Sequence, residues 1–270
     1  MRIIISPAKK MNVDTDTAPA RGLPCFLEQT RPLMEYLQGL DREQLKKIWK
    51  CNEKIAELND RRLRVMDLER RLTPAILSYE GIQYQYMAPK VMEENALEWL
   101  QEHVRILSGF YGILKPFDGV TPYRLEMQAR LGGETPGGRT IDGGTPGDET
   151  PGDATLDSLY TYWGSKLAER LFSETSLVLN LASKEYSKCI SAYLSDFPEK
   201  RFVTCVFGEL SGDRVVEKGT LAKMARGEMV RFLAEQQADS LETVKAFDRL
   251  GYRFWEERSS EDRLVFLKGN

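Results

Sequence analysis

The sequence predicts a mixed α/β protein with a compact fold, and three features support that class. Short apolar segments typical of buried strands alternate with longer segments of helical periodicity. Hydrophobic residues make up 41% and charged residues 29% of the 270 residues, which is ordinary usage for a globular chain. No glycine fingerprint of a dinucleotide site follows the first strand, so we expect a non-Rossmann fold.

The first half of the chain begins with a strand, predicted for residues 2–6 and ending at Ser6-Pro7. Residues 24–66 have helical spacing, and Asp41 with Gln44 forms a capping box at the start of one helix. The further elements predicted here are a strand at 75–79, a helix at 93–103 and a strand at 104–109 that enters a glycine turn.

The second half continues the alternation. Its predicted helices are 157–172, 220–237 with Thr220 as the N-cap, and 241–250. Its predicted strands are 177–181, 201–207, 252–255 and 263–267, the last two flanking a polar turn.

One segment, residues 132–155, has a different composition. The tripeptide Thr-Pro-Gly begins there at positions 135, 145 and 150, and almost no residue of the segment suits a buried position. We therefore expect a single domain over residues 1–270, with an exposed, mobile insertion at about 132–155.

Charge and targeting signals narrow the classes of function. The formal net charge is −3, so binding of an anionic partner requires a local basic patch on a neutral to acidic surface. The apolar run at the N-terminus has three residues, too few for a secretory signal, and no stretch approaches the roughly 18 apolar residues of a membrane helix. We expect a cytoplasmic protein with no membrane partner.

Cysteine and histidine usage argues against a metal site. The four cysteines show no CxxC spacing and are expected to be buried, reduced thiols. The single histidine, His103, is too few for a multi-histidine centre and is interpreted as a surface or helix-end residue. No metal or cofactor is predicted.

Two strand ends carry candidate ligand-binding groups. Ser6 and Lys9 follow the first strand, at the sheet edge where α/β proteins tend to bind ligands. Ser183 and Lys184 repeat this arrangement after the strand at 177–181, where a helix N-terminus capped by Ser183 suits a phosphate or carboxylate. The alternative in both places is a simple turn or cap.

A basic segment lies within the long helix predicted at 220–237. Lys223 and Arg226 share one face, and Arg226 has the geometry to hold a phosphate with two hydrogen bonds. Gly227 is costly in a helix interior, which suggests the close approach of another backbone or a ligand.

Two further candidates lie in the middle of the chain. Ser108, Gly109 and Gly112 resemble a glycine hairpin that presents N–H groups to a phosphate, or else form a tight bend packed by the intervening aromatic residues. Tyr123 and Arg124 follow, and Arg124 with the nearby Glu126 forms either a structural ion pair or part of a polar site.

Several stretches of the chain form a recognisable series. They are Ile5-Ser6-Pro7-Ala8-Lys9 and residues 107–118, 122–127, 159–164, 180–186, 223–227, 251–252 and 264–266. Together they resemble the YaaA family of bacterial peroxide-stress proteins over essentially the whole chain. The resemblance implies a basic cleft, a helix-hairpin-helix-like element, affinity for duplex or branched DNA, and a role in limiting free iron during hydrogen peroxide stress.

These observations predict one anion site from residues more than 200 positions apart, namely Lys9, Arg124, Ser183, Lys184, Lys223 and Arg226. Two functions compete for it. The first is a DNA-binding stress protein, and the second is an enzyme acting on a small phosphorylated or nucleotide-like substrate. An iron chelator is a third, weaker hypothesis. A closed concavity favours the small substrate, whereas an open basic face favours DNA.

Overall fold

The computed structural model of the protein describes residues 1–131 and 158–269. The insertion predicted at 132–155 lies outside the described residues. The predicted mixed α/β class is confirmed, with a mainly parallel central sheet.

The elements before residue 132 are seven strands and six α-helices. In order they are β1 (Arg2–Ile5), β2 (Lys10–Met11), α1 (Leu27–Gly39), α2 (Arg42–Trp49), α3 (Glu53–Arg64), β3 (Thr73–Pro74), α4 (Ala75–Ser78), β4 (Tyr79–Glu80), α5 (Ile82–Met87), α6 (Glu94–His103), β5 (Val104–Ser108), β6 (Gly112–Leu114) and β7 (Gly119–Val120).

The elements after residue 157 supply the other half of the sheet. They are α7 (Leu159–Trp163), α8 (Lys166–Glu174), β8 (Leu177–Asn180), α9 (Lys184–Ser191), β9 (Arg201–Ser211), β10 (Arg214–Val216), α10 (Gly219–Glu235), α11 (Leu241–Lys245), β11 (Tyr252–Phe254) and β12 (Arg263–Lys268).

The central sheet has the strand order β11-β12-β9-β8-β1-β5-β6, and β10 pairs with β9. The pairs from β12 through β9, β8 and β1 to β5 are parallel, whereas β6, β10 and β11 run antiparallel to their neighbours. Ile3, Ile4 and Ile5 of β1 are fully buried, as expected for a strand at the centre of a parallel sheet covered on both faces.

The order of the strands creates a switch point beside β1. After β1 the chain adds β5 on one side of that strand, and it later returns to add β8 on the other side. Ile4 of β1 pairs with Asn180 of β8, so the two strands end next to each other. Crevices outside the carboxyl ends of strands at such a point are the usual ligand sites of open α/β sheets.

Most of the predicted elements are present, and four predictions are wrong. The helix expected over 241–250 ends at Lys245. Residues 75–78 form one helical turn where a strand was expected, because a short buried apolar run has no diagnostic periodicity. The helix expected over 157–172 is divided into α7 and α8 at Gly164, where φ is +49°. Helix α10 begins at Gly219 with Lys218 at the N-cap, so Thr220 is not the cap.

The cysteines differ in part from expectation. Cys189 and Cys205 are buried, whereas Cys25 is exposed and Cys51 half-buried, so the prediction of four buried thiols is wrong for two of them. Burial raises the pKa of Cys189 to about 12. His103 is the last residue of α6, as predicted, and its Nδ1 lies 3.0 Å from the Met1 carbonyl oxygen. Among the described helices none has both the length and the apolar character needed to cross a bilayer.

Candidate functional site

A cavity of about 380 Å³ opens at the carboxyl ends of β1 and β8. Its lining comes from both strand ends, the loop at 123–126, α5 and α10. The predicted site residues that line it are Ser6, Lys9, Tyr123, Arg124, Ser183, Lys223 and Arg226. The structure therefore brings together five of the six residues expected to converge; the exception is Lys184.

Two serines join the strand ends at the base of this cavity. The Ser183 N–H donates to Ser6 Oγ at 2.8 Å, and Ser6 Oγ donates to Ser183 Oγ at 3.2 Å. Because its hydroxyl contacts Ser6, Ser183 occupies the N-cap position of α9 without capping the helix by its side chain. The N–H groups of Lys184 and Glu185 have no hydrogen-bond acceptor within the described residues. These first-turn donors are the groups that bind anions at other helix N-termini.

One carboxylate neutralises two of the basic groups. Glu126 Oε1 lies 2.8 Å from Lys9 Nζ and 3.7 Å from Arg124 Nη2. Arg124 Nε also donates to the Trp49 carbonyl oxygen at 3.3 Å. The Arg124–Glu126 pair is thus an ion pair in the cavity wall, and a role of Arg124 in a polar site stays a prediction.

Helices α5 and α10 pack tightly to form another wall. A Cβ added at Gly227 would overlap the Gln83 carbonyl oxygen and lie 3.0 Å from the Gln83 carbonyl carbon. The close backbone approach predicted from this mid-helix glycine is confirmed. It places Arg226, the preceding residue, beside the start of α5.

Arg226 is largely buried, with 13% of its side chain exposed. Its Nη2 donates to Glu217 Oε1 at 3.1 Å, and its Nε is buried without a hydrogen-bond partner. Burial lowers the pKa of Arg226, but an arginine remains charged in proteins. Lys223, one turn earlier, is exposed and forms no ion pair with any described residue.

The cavity is basic overall. Five cationic side chains and three carboxylates line it, and Lys10 Nζ lies 2.6 Å from Glu80 Oε1. Burial raises the pKa of Glu185, which accepts a bond from the Gln128 N–H at 3.4 Å. A carboxylic acid in this environment titrates closer to neutral pH than usual, which suits proton transfer.

Sequence analysis missed several lining residues. Glu185 and Tyr186 lie within the stretch 180–186 and follow a recognised strand end, so their positions carried a usable signal. Gln83 and Tyr84 had no such signal, because α5 enters the site only through its packing on α10. The Tyr84 hydroxyl donates to the Ser6 carbonyl oxygen at 3.0 Å, and burial raises the pKa of Tyr84.

The glycine segment lies away from the surface. Ser108, Gly109 and Gly112 are buried, and Ser108 Oγ accepts the N–H groups of Phe110 and Tyr111 at 3.2 and 2.8 Å. These N–H groups are therefore occupied within the protein. The packed bend is the alternative that the structure supports, and the hairpin does not present N–H groups to a phosphate at the surface.

Tight packing explains both glycines. A Cβ at Gly109 would lie 2.7 Å from the Leu125 carbonyl oxygen, and Gly112 has φ +74°. The segment also holds Tyr123, a residue of the cavity wall, because Ser108 Oγ lies 2.7 Å from the Tyr123 hydroxyl. The Tyr123 hydroxyl is in turn 2.8 Å from the hydroxyl of Tyr79. Burial raises the pKa of Tyr123 to about 12.

Lys184 faces a second space, an open groove of about 800 Å³. Arg214, Glu217 and Arg263 also line this groove. The groove adjoins the cavity at two places. Glu217 of the groove pairs with Arg226 of the cavity, and Lys184 of the groove follows Ser183 of the cavity in the chain. Over residues 1–131 and 158–269, no three histidine, cysteine or acidic residues are grouped to hold a metal ion.

The fold and the site define a class: an α/β protein with a basic cavity at the switch point of its parallel sheet. A family model described as "Peroxide stress protein YaaA" matches residues 1–258, and the chain belongs to that family, which associates it with peroxide stress.

Similar proteins support the same assignment over the full length. A UPF0246 protein of Lachnoclostridium phytofermentans is 52% identical, with 100% of this chain and 97% of the relative aligned. A UPF0246 protein of Agathobacter rectalis is 50% identical over 98% of each chain. A third, from Desulfitobacterium hafniense, is 49% identical over 99% of this chain and 98% of its own.

Proposed function

We propose that the protein binds a small phosphorylated or nucleotide-like anion in the cavity at the carboxyl ends of β1 and β8, in the service of the peroxide-stress response. One observation carries the proposal. Basic residues as far apart in sequence as Lys9 and Arg226 line a single concavity rather than an open face. Basic side chains that share no ligand would be expected to scatter over the surface instead of lining one cavity.

The size and charge of the cavity support a small ligand. Its volume of about 380 Å³ falls in the range of small-molecule sites. Lys223 supplies a positive charge that no described carboxylate neutralises, and the N-terminus of α9 supplies open N–H groups. Glu185 offers a proton-transfer group beside them, so an enzyme acting on such an anion is compatible with the same residues.

Ribose 5-phosphate is a suitable probe, because it is small and carries one phosphate. We expect isothermal titration calorimetry to detect its binding to the wild-type protein and to show about tenfold weaker binding by Arg226→Ala, the typical effect of losing one charge-assisted hydrogen bond. Arg231→Ala is the matched control, because Arg231 lies on the same helix, pairs with Glu235 and does not line the cavity. Equal affinities of the two variants would remove the proposal.

DNA binding is the second candidate, and the open groove favours it. Lys184, Arg214 and Arg263 are exposed along this groove, next to the exposed Lys9 and Lys223 at the cavity mouth. Such a surface suits an extended polyanion, and the family resemblance implies affinity for duplex or branched DNA. The effect on free iron implied by the same resemblance is proposed only as a consequence of ligand or DNA binding.

Salt dependence tests the DNA proposal separately. If Arg214 contacts a phosphate, Arg214→Ala should weaken binding about equally on every sequence and lower the slope of log K against log salt by about 0.9. Fluorescence anisotropy with a labelled duplex and a four-way junction would measure both quantities. An unchanged slope, or no binding by the wild-type protein at low salt, would exclude the groove as a DNA contact.

A further inference from the structure

We infer that a second cavity, at the amino ends of β1 and β5, binds a free acidic α-amino acid. The ammonium group of this ligand contacts Asp118, and its carboxylates contact Lys115 and Arg170. The second cavity shares no lining residue with the cavity at the carboxyl ends of β1 and β8, so the two sites bind their ligands independently.

The second cavity lies at the edge of the sheet opposite the proposed anion site. Arg105, the second residue of β5, lines it, and its Nε donates to Glu174 Oε2 at 2.8 Å. The same oxygen accepts from Nε of Arg2, the first residue of β1, at 3.4 Å. The volume of this cavity is about 220 Å³, below the range of drug-sized ligands, which suits a molecule no larger than an amino acid.

A buried carboxylate faces this cavity with one oxygen free. Asp118 lines the cavity and is only 7% exposed. Its Oδ2 accepts the Lys115 N–H at 2.8 Å, whereas Oδ1 accepts no hydrogen bond from any described residue. Oδ1 is not among the fully enclosed side-chain atoms that lack a partner in the described chain, so it remains accessible. A carboxylate oxygen this deep in the protein calls for a donor from a ligand.

Cations surround this carboxylate without contacting it. Three of them act on it and favour its ionised form: Lys115, Arg105 and Arg170. Within residues 1–131 and 158–269, none of the three side chains forms an ion pair with Asp118. Arg170 Nε pairs with Glu174 Oε1 at 3.0 Å, which leaves its terminal nitrogens available, and Lys115 Nζ has no described partner. Opposite charges that line one small cavity and stay apart leave room for a ligand that carries both signs.

An α-amino acid carries both signs on neighbouring groups. Its ammonium group supplies donors for Asp118 Oδ1, and its carboxylate matches the guanidinium of Arg170 or the ammonium of Lys115. Four cationic side chains and two carboxylates line the cavity, so the surplus positive charge favours a ligand with a second carboxylate. A purely anionic ligand, by contrast, would meet Asp118 as a like charge.

The ionised form of Asp118 is costly to the empty protein. Burial raises the pKa of this carboxyl to about 6, so its charge opposes folding at neutral pH. Groups that reduce stability in this way are retained where a site needs them. A ligand ammonium group at Oδ1 would compensate the charge.

Calorimetry with L-glutamate, L-glutamine and glutarate tests the inference, because glutamine lacks the second carboxylate and glutarate lacks the ammonium group. We expect the wild-type protein to bind glutamate about tenfold or more tightly than glutarate, and about threefold more tightly than glutamine. Asp118→Asn should weaken glutamate binding about tenfold. The matched control is Asp213→Asn, which changes a fully exposed aspartate outside the cavity and should leave the affinity unchanged.

Lys115→Met provides a second variant. It removes a cation but keeps the backbone N–H that Asp118 accepts, so it should weaken the binding of glutamate and glutarate alike. Both Asp118→Asn and Lys115→Met should bind ribose 5-phosphate as the wild-type protein does, because neither residue lines the proposed anion site. Arg226→Ala should show the reverse pattern, with glutamate binding unchanged.

Three results would overturn the inference. The first is equal binding of glutamate and glutarate, which would mean that Asp118 does not receive an ammonium group. The second is glutamine bound as tightly as glutamate, or equal affinities of Asp118→Asn and Asp213→Asn for glutamate. The third is no binding of any of the three ligands, which would leave the proposed anion site, tested by ribose 5-phosphate, standing.

Discussion

Glu126 shows how a single residue sets the charge of the site. Its carboxylate contacts both Lys9 and Arg124, so part of the positive charge in the cavity is already compensated. We predict that Glu126→Gln raises the affinity for ribose 5-phosphate by about three- to tenfold, because removing a nearby negative charge favours an anion. Calorimetry at low salt would measure the gain. Weaker binding would instead mean that Glu126 holds Lys9 and Arg124 in their binding positions.

Asp118 is a residue whose charge opposes folding. It is buried, and burial raises its pKa from the usual 3.8 to about 6, while its Oδ2 accepts the Lys115 N–H at 2.8 Å. Since the folded-state pKa is raised, the stability that the protonated form contributes is complete below pH 3.8 and is lost as pH rises through about 6.

The corresponding prediction concerns Asp118→Asn. Asparagine keeps an oxygen acceptor without the charge, so the variant should be more stable than wild type by about 2 kcal/mol at pH 8 and nearly equal to it at pH 4. Urea unfolding at the two pH values would check this. A variant that is less stable at pH 8 would show that the ionised carboxylate is compensated by the surrounding arginines and lysine.

At the scale of elements, the packing of α5 on α10 forms one wall of the cavity. We predict that Gly227→Ala destabilises the protein by about 3 kcal/mol or more, because the new methyl group overlaps the backbone of Gln83 and the two helices must separate. Gly219→Ala in the same helix meets no atom within 4 Å and should be neutral or slightly stabilising. Thermal unfolding of the two variants would separate them, and similar melting temperatures would contradict the packing described.

Elements with a local physical signal were predictable from the sequence. The capping box at Asp41 marked the start of α2, and buried apolar runs marked β1 and β8. Elements defined by packing were not predictable. The helical turn at Ala75–Ser78 is too short to show a period, and the break at Gly164 depends on a positive φ that a helical pattern conceals.

At the scale of the whole molecule, the basic and hydroxyl groups of the cavity could be predicted from the sequence, whereas the residues that α5 contributes could not. Polar residues directly after β1 and β8 were expected at one edge because parallel strands end together. Gln83 and Tyr84 were missed because they reach the cavity through the packing of α5 on α10, which no sequence pattern reports. Lys184 was expected in the cavity but lines the adjoining groove, although its neighbours Ser183 and Glu185 both line the cavity.

The single domain with an insertion at about 132–155 stays a prediction from composition. Deleting residues 134–154 should leave the melting temperature nearly unchanged, because closing a flexible loop more tightly costs little and these residues offer little to bury. Differential scanning calorimetry of the deletion variant would test this. A loss of several degrees would indicate that the segment contributes to the folded core.

The central claim is that an anion binds where β1 and β8 end. A crystal structure of the protein with ribose 5-phosphate tests it most directly. We predict that the phosphate lies within hydrogen-bonding distance of Ser183 and the first turn of α9, with Lys223 or Arg226 beside it. A second cavity at the opposite edge of the sheet, lined by Arg21, Arg105, Lys115 and Arg170, offers an alternative basic environment. A phosphate found there, or in the groove beside Arg214, with the first cavity empty, would contradict the account.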